Sequence, residues 1–256
     1  MRLRSVYVFC GFLLLASIQV HAQSITIQNS GFELPVLGDS ASAGVNAPLL
    51  IGSNSSPVSN WTLTASSLLS VSLSVPARAE IINPTGSGPV NISGSQIGLL
   101  RANGLAGVAT TGSAYQDLGV SYTANSRYTL SVDVGVESLA SLLSGYGFSL
   151  MNGSNTLATR DQSTLLALFL NSNQLYHASL TFDTNGTVPT GNVGVQFFES
   201  SLANVAGAFI FDNVSLTVAA IPEPATIGLI GLSIVGAAGA YYRHRCHVKR
   251  QMEASV

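Results

Sequence analysis

The stretch RYTLSVDVGVES, residues 127–138, sets Leu130, Val132, Val134 and Val136 on one side of an extended chain, with Thr129, Ser131, Asp133 and Gly135 on the other. A period of two belongs to a strand with one buried face; a helix would spread the same residues around its whole circumference. Residues 68–75, LLSVSLSV, repeat the pattern, with Leu69, Val71, Leu73 and Val75 set against serines. Further short runs read as strands: SITIQ, NWTLTA, AEII, QIGLLRA, SAYQDLG, YGFSLM, LYHASLTF, VGVQFFES and GAFIFDNVSLTV, with Gly, Asn, Ser and Pro between them. Such spacing predicts an all-β chain folded as a β-sandwich. After LYHASLTF, the segment DTNGT carries an Asn-Gly pair, a reverse-turn signal. SLASLLSG and STLLALFLNSN fit either short helices or apolar strands and are assigned as insertions. No internal repeat or second globular domain emerges.

The 256 residues are ample for a buried core. The first 22 read as a secretory signal peptide: Arg2 and Arg4, the apolar run VYVFCGFLLLASIQV, then Val20-His21-Ala22 as a cleavage site. A retained anchor is the alternative, disfavoured by the shortness of the apolar run. Cys10 lies in that signal and Cys246 in the basic tail, so the body between holds no cysteine and cannot be a disulfide framework or a Cys-ligated zinc module. From Gln23 to Ala220, ten acidic residues face four arginines and no lysine. A mildly acidic body repels phosphate, which excludes nucleic acid as a partner.

Two pieces of the body resemble galactose-binding-like jelly rolls, the fold of many carbohydrate-binding modules. NSGFELPV (Asn29 to Val36) is similar to their first strand and FDNVSLTV (Phe211 to Val218) to their last; VSNWTLT and AYQDLGVSYTANSRYTLSVDVG extend the likeness over most of residues 24 to 219. The resemblance implies that these end strands lie together and that an acid from each, here Glu33 and Asp212, coordinates a structural calcium. Ca²⁺ is a hard ion that accepts carboxylates together with backbone carbonyls, so the chemistry is sound. The alternative is that Glu33 and Asp212 bond turn amides or face solvent.

Catalytic constellations are scarce. Asp133 and Glu137 share a strand face, but four residue rises set them roughly 13 Å apart, too far for a glycosidase pair. His177 is the sole histidine of the mature body and has no acid or cysteine beside it in sequence. A triad or zinc site is therefore not expected. MNGSNT and NPTGSG are turns without the Lys and helix of a phosphate loop. A sugar site needs an aromatic platform; Trp61 fits a core position better, and Tyr115, Tyr122, Tyr128, Tyr146 and Tyr176 are the alternatives.

Residues 225–242 form an uncharged segment of about 27 Å as a helix, marginal against a hydrocarbon core of roughly 30 Å. Arg243, Arg245, Lys249 and Arg250 follow, which would hold that end in the cytoplasm and leave the body outside. Its glycines and lack of a polar face argue against a packed soluble helix. Pro222-Glu223-Pro224, a Gly-rich apolar segment and an arginine cluster in that order resemble the PEP-CTERM sorting signal of Gram-negative bacteria. The resemblance implies recognition by an exosortase, transient residence at the inner membrane, cleavage near Pro-Glu-Pro, and delivery to the cell surface or an exopolysaccharide matrix. The basic segment is longer than usual for this signal and carries Cys246. A plain single-span anchor is the alternative.

The sequence therefore predicts three segments: a signal peptide (1–22), a β-sandwich (23–219) and a sorting signal (220–256). The expected role is a non-enzymatic structural or adhesive surface component. The alternatives are a carbohydrate-binding module recognising extracellular glycan and a secreted hydrolase.

Overall fold

A computed structural model describes residues 22–47, 52–67, 77–84, 89–103, 110–201, 206–222 and 224–253. The expected signal peptide up to His21, the expected strand at 68–75 and Glu223 lie outside the described residues.

Gln23–Val218 is one compact unit. Its strands are β1 (Gln23–Ile25), β2 (Ser42–Asn46), β3 (Gly52–Val58), β4 (Trp61–Ser67), β5 (Arg78–Ile82), β6 (Ile97–Asn103), β7 (Thr110–Ser121), β8 (Ser126–Val136), β9 (Gly145–Asn152), β10 (Asn155–Asp161), β11 (Tyr176–Asp183), β12 (Asn192–Ser201) and β13 (Ala206–Ala220). One sheet runs β11-β8-β13-β6-β5-β2, with β1 also on β13; the second runs β10-β9-β12-β7-β4-β3. This is the expected β-sandwich. The opening stretch is β8, whose Tyr128, Leu130, Val132, Val134 and Val136 are all buried.

The two sheets meet through aromatic rings. Phe197 of β12 and Phe211 of β13 stack across the core at 4.0 Å between centroids. Trp61 lies 5.7 Å from Phe197 and 5.1 Å from Phe32, and Phe32 meets Phe211 edge-on at 5.1 Å. Phe32 adopts φ +56°, a left-handed conformation costly for a bulky residue. Hydrogen bonds hold it there: Phe32 N–H donates to Asn29 O, and the Asn29 side chain bonds both the N–H and C=O of Leu34. Buried Gln96 donates to Phe32 O and Pro35 O and accepts from Leu37 N. Gln116 bridges Gln28 and Asn60 in the same way. Each glutamine amide stands in for a missing length of β ladder, satisfying backbone groups of this irregular entry segment.

β2, β3 and β10 were not evident from alternation. All three are edge strands, where GSNSSPV or NTLATRD can pair on one side without supplying a hydrophobic face. DTNGT is not a hairpin turn, because Asp183 ends β11 in one sheet and Asn192 begins β12 in the other. Buried Thr184 pins this crossing, its hydroxyl donating to Thr123 O and accepting from Ser126 N. The two-residue hairpins lie elsewhere. Ser59 and Asn60, at φ 48° and 75°, join β3 to β4, and Gly153-Ser154, within MNGSNT, joins β9 to β10. Of the ambiguous insertions, SLASLLSG forms a 3₁₀ turn at Leu139–Leu143. STLLALFLNSN contains α1 (Gln162–Leu165), capped by Asp161, and then bends so that Leu165 and Phe169 enter the core.

The C-terminal segment forms α2 (Pro224–Glu253). It extends past Tyr242 through the basic tail, since RHRCHVKRQME contains neither Gly nor Pro to stop it. Among the described residues no helix is long and apolar enough to cross a membrane.

Candidate functional site

Glu33 and Asp212 are gathered by one loop, residues 91–96. Glu33 Oε1 accepts from Ser95 N and Gln96 N at 2.8 and 3.0 Å, and Oε2 accepts from the Ser95 hydroxyl at 2.9 Å. Asp212 Oδ2 accepts from Ser93 N and Oδ1 from Asn213 N, both at 2.7 Å. Gly94, at φ +87°, has its Cβ position filled by the Glu33 carboxylate, so no other residue fits there. Asp212 is fully buried, and that burial, with the nearby charges of Asp133 and Glu33 adding to it, pushes its carboxyl up to about 6. Asn213, at φ +53°, makes a bulge. Phe209 and Phe211 face the core before it, Val214 and Leu216 after it. That three-residue step from Phe211 to Val214 is written in FDNV, a signal the alternation pattern alone does not use.

The oxygens suit a hard cation in kind. Of the lone pairs on these two carboxylates, one on Glu33 Oε2 and one on each Asp212 oxygen remain after the bonds above. Among the described residues no three His, Cys, Asp or Glu side chains gather to hold a metal. Any cation here would need carbonyl oxygens as well.

His177 does have an acidic partner, supplied by register: it lies opposite Asp133 on β8, and its Nδ1 is 3.0 Å from Asp133 Oδ1. Asp133 Oδ2 accepts from the Asn213 amide. Cross-strand pairing of this kind is invisible to sequence spacing. Glu137, beyond the end of β8, takes both its bonds from Arg101, at 2.8 and 2.7 Å. Asp133 and Glu137 are thus committed to separate partners and are not a catalytic pair.

Glu199 was not singled out from the sequence. It is 1% exposed, its Oε1 accepting from the Ser144 hydroxyl and its Oε2 from Phe209 N. Burial drives its carboxyl up to about 8, so it is largely protonated at neutral pH; the two hydrogen bonds oppose the shift only in part. The alternating run VGVQFFES places Glu199 on the inward face with Val193, Val195 and Phe197, which is the signal that could have found it.

A cleft of about 520 Å³ opens on the outer face of the seven-stranded sheet. Ile97, Leu99 and Ile210 form its floor, and Arg78, Glu80 and the Arg101–Glu137 pair its polar wall. Arg78 Nε is buried there without a hydrogen-bond acceptor. Among the described residues no aromatic side chain lines this cleft.

The aromatic candidates sort cleanly. Trp61 is fully buried, with its indole N–H on Asn29 O at 3.2 Å. Tyr122, Tyr128 and Tyr146 are core residues, and Tyr176 is tied through its hydroxyl to residues 171–174. Tyr115 alone of the five stands on an outward strand position, on β7 of the six-stranded sheet.

In the tail, Pro222 precedes α2, and Pro224 is its first residue, a position where the missing proline N–H costs nothing. Arg243 and Arg245 lie on α2 and are exposed.

A family model described as HpiC1-like, HpiC1 cyclase, matches residues 23–217, and the PEP-CTERM protein-sorting motif matches residues 220–245. A search of curated proteins gave no match. Among solved structures, a Stig cyclase, Fisc, from Fischerella sp. TAU, in complex with (3Z)-3-(1-methyl-2-pyrrolidinylidene)-3H-indole, superposes with a TM-score of 0.55. It is 19% identical, covering 79% of this chain and all of that one. A cyclase from the same source in complex with 4-(1H-indol-3-yl)butan-2-one gives 0.54 at 19% identity, over 78% of this chain and all of that one. A carbohydrate-binding module, TmCBM61 in complex with beta-1,4-galactotriose, gives 0.39 at 11% identity, over 76% of this chain and 97% of that one, too distant to draw on. Likeness at 19% identity establishes the shared fold and nothing finer.

Proposed function

The chain belongs to the HpiC1-like family across residues 23–217, and from that premise we propose that its body is a non-catalytic structural or adhesive component of the cell surface or an exopolysaccharide matrix. It is an exported protein with a C-terminal sorting tail, and the PEP-CTERM motif at residues 220–245 is the observation that carries this reading. An exosortase engages Pro222-Glu223-Pro224 while the precursor is at the inner membrane. Cleavage then passes the body outward. A non-catalytic role is supported by the place of Glu199 and Asp212, the carboxyls with raised pKa, which are closed off from solvent and do not line the cleft; of the two carboxyls that do, Glu80 and Glu137, the second is held by Arg101. Replacing Pro222, Glu223 and Pro224 together by alanine should move the protein from the surface fraction to the membrane fraction. An unchanged surface yield would refute this assignment.

The family's cyclase name favours a second reading, in which the cleft beside Arg78 takes a small organic molecule. Calorimetry with 4-(1H-indol-3-yl)butan-2-one separates the two. No saturable binding is expected of a matrix component; micromolar binding lost in Arg78→Ala would favour the second.

Calcium at Glu33 and Asp212 is part of the proposal. A cation would offset the desolvation that burial imposes on Asp212, in a place where two amides do so incompletely. Chelation should then lower the melting temperature, and Asp212→Ala should remove that sensitivity; equal melting with and without chelator would rule calcium out.

A further inference from the structure

The outer face of the six-stranded sheet is built from small, hydroxyl-bearing and aromatic residues. Its outward positions on β4, β12 and β9, and on β7 from Thr111 to Tyr115, carry no charge. Hydroxyl pairs run across it, Thr64 with Ser55 at 3.2 Å and Ser66 with Thr111, while Ser149, bonded to Thr159 at 2.8 Å, is buried beneath the surface. Two half-buried rings recline on this field instead of standing away from it. A Cβ on Gly194 would meet Tyr115 Cε2 and Oη at 2.8 Å, and one on Gly147 would meet Phe198 Cζ at 2.8 Å. The Tyr115 ring therefore occupies the space Gly194 leaves, and the Phe198 ring shares the space at Gly147 with the backbone of Arg160 and Asp161 on β10. Acids stand only at the margins, Asp117 opposite Gly194 and Asp161 opposite Gly147.

Resting on the surface location proposed above, the geometry points to this face as the docking surface for an extended, uncharged polysaccharide chain. Reclining rings offer π-faces to the C–H faces of sugar rings, and Ser and Thr hydroxyls can both donate to and accept from sugar hydroxyls. Tyr115 lies opposite Gln196, two residues from Phe198, and leans back onto Gly194, which sets the two rings roughly 10 Å apart along the sheet. That span exceeds one sugar ring, so a chain engages both aromatics while a monosaccharide reaches one. The marginal acids repel a polyanion, which selects a neutral chain.

Affinity electrophoresis of the full chain in gels containing hydroxyethylcellulose, dextran or alginate tests this. Retardation is expected in a neutral polymer and not in alginate. Tyr115→Ala and Phe198→Ala should each weaken it about tenfold, with melting temperatures near that of the parent protein because both sites are on the surface. Tyr115→Phe should retain it, since the ring face is kept. Retardation by alginate alone, by none of the three, or equally in the Tyr115→Ala and Phe198→Ala variants overturns the proposal. Surface fractionation of the same protein is scored separately, so loss of polysaccharide binding with normal surface delivery refutes the docking face and leaves the location standing.

Discussion

Trp61→Ala is expected to destabilise the body by about 4 kcal/mol, the range for removing a large buried aromatic. The ring is fully buried between Phe32 and Phe197, and its indole N–H holds Asn29 O, the carbonyl that also accepts from Phe32 N. Removing it opens a cavity and loosens the segment that keeps Phe32 in its left-handed conformation. For a domain of this size that loss corresponds to a melting temperature lower by roughly 10 °C. Thermal denaturation followed by circular dichroism measures it. The outward Tyr115→Ala should cost less than about 1 kcal/mol in the same assay. A Trp61→Ala variant melting with the parent protein would contradict this description of the core.

Stability should also fall as pH rises, with Glu199 as the main source. Its carboxyl stands at about 8 in the folded protein against 4.5 for the free side chain, so between those values the folded state binds the extra proton. Its contribution is full below pH 4.5 and gone above 8, a loss on the order of 5 kcal/mol. In the calcium-free protein Asp212, raised to about 6 from 3.8, adds a smaller loss with the same sign in a lower window. Melting temperatures between pH 5 and 8.5 should therefore decline, and Glu199→Gln should flatten most of the decline while keeping an acceptor for Phe209 N. A Glu199→Gln variant with the parent's full pH slope would show that the carboxyl is not protonated in the fold.

Alternation made the central strands legible, since β8, β4 and β12 each announce a buried face, and the likeness of NSGFELPV and FDNVSLTV to jelly-roll end strands brought forward Glu33 and Asp212, which one loop gathers. Edge strands stayed hidden because pairing on one side asks nothing of their hydrophobic pattern, as GSNSSPV in β3 shows. Partners set by register stayed hidden too. Asp133 beside His177, and the Gly147 that lets Phe198 recline, depend on which strand lies next door, a matter of topology and not of spacing. Glu199 shares the inward phase of Val193, Val195 and Phe197, but what holds it, the Ser144 hydroxyl and Phe209 N–H, comes from other elements. The tail was readable throughout, since Pro-Glu-Pro, an apolar run and an arginine cluster form a linear signal. That α2 extends to Glu253 follows from helix propensity, which the change from apolar to basic residues obscures.

The account turns on the tail being an address that is removed. Intact-mass measurement of protein released from the cell surface tests this directly: it predicts a C-terminus within or just before Pro222 to Pro224, and a surface form that still ends at Val256 would contradict it.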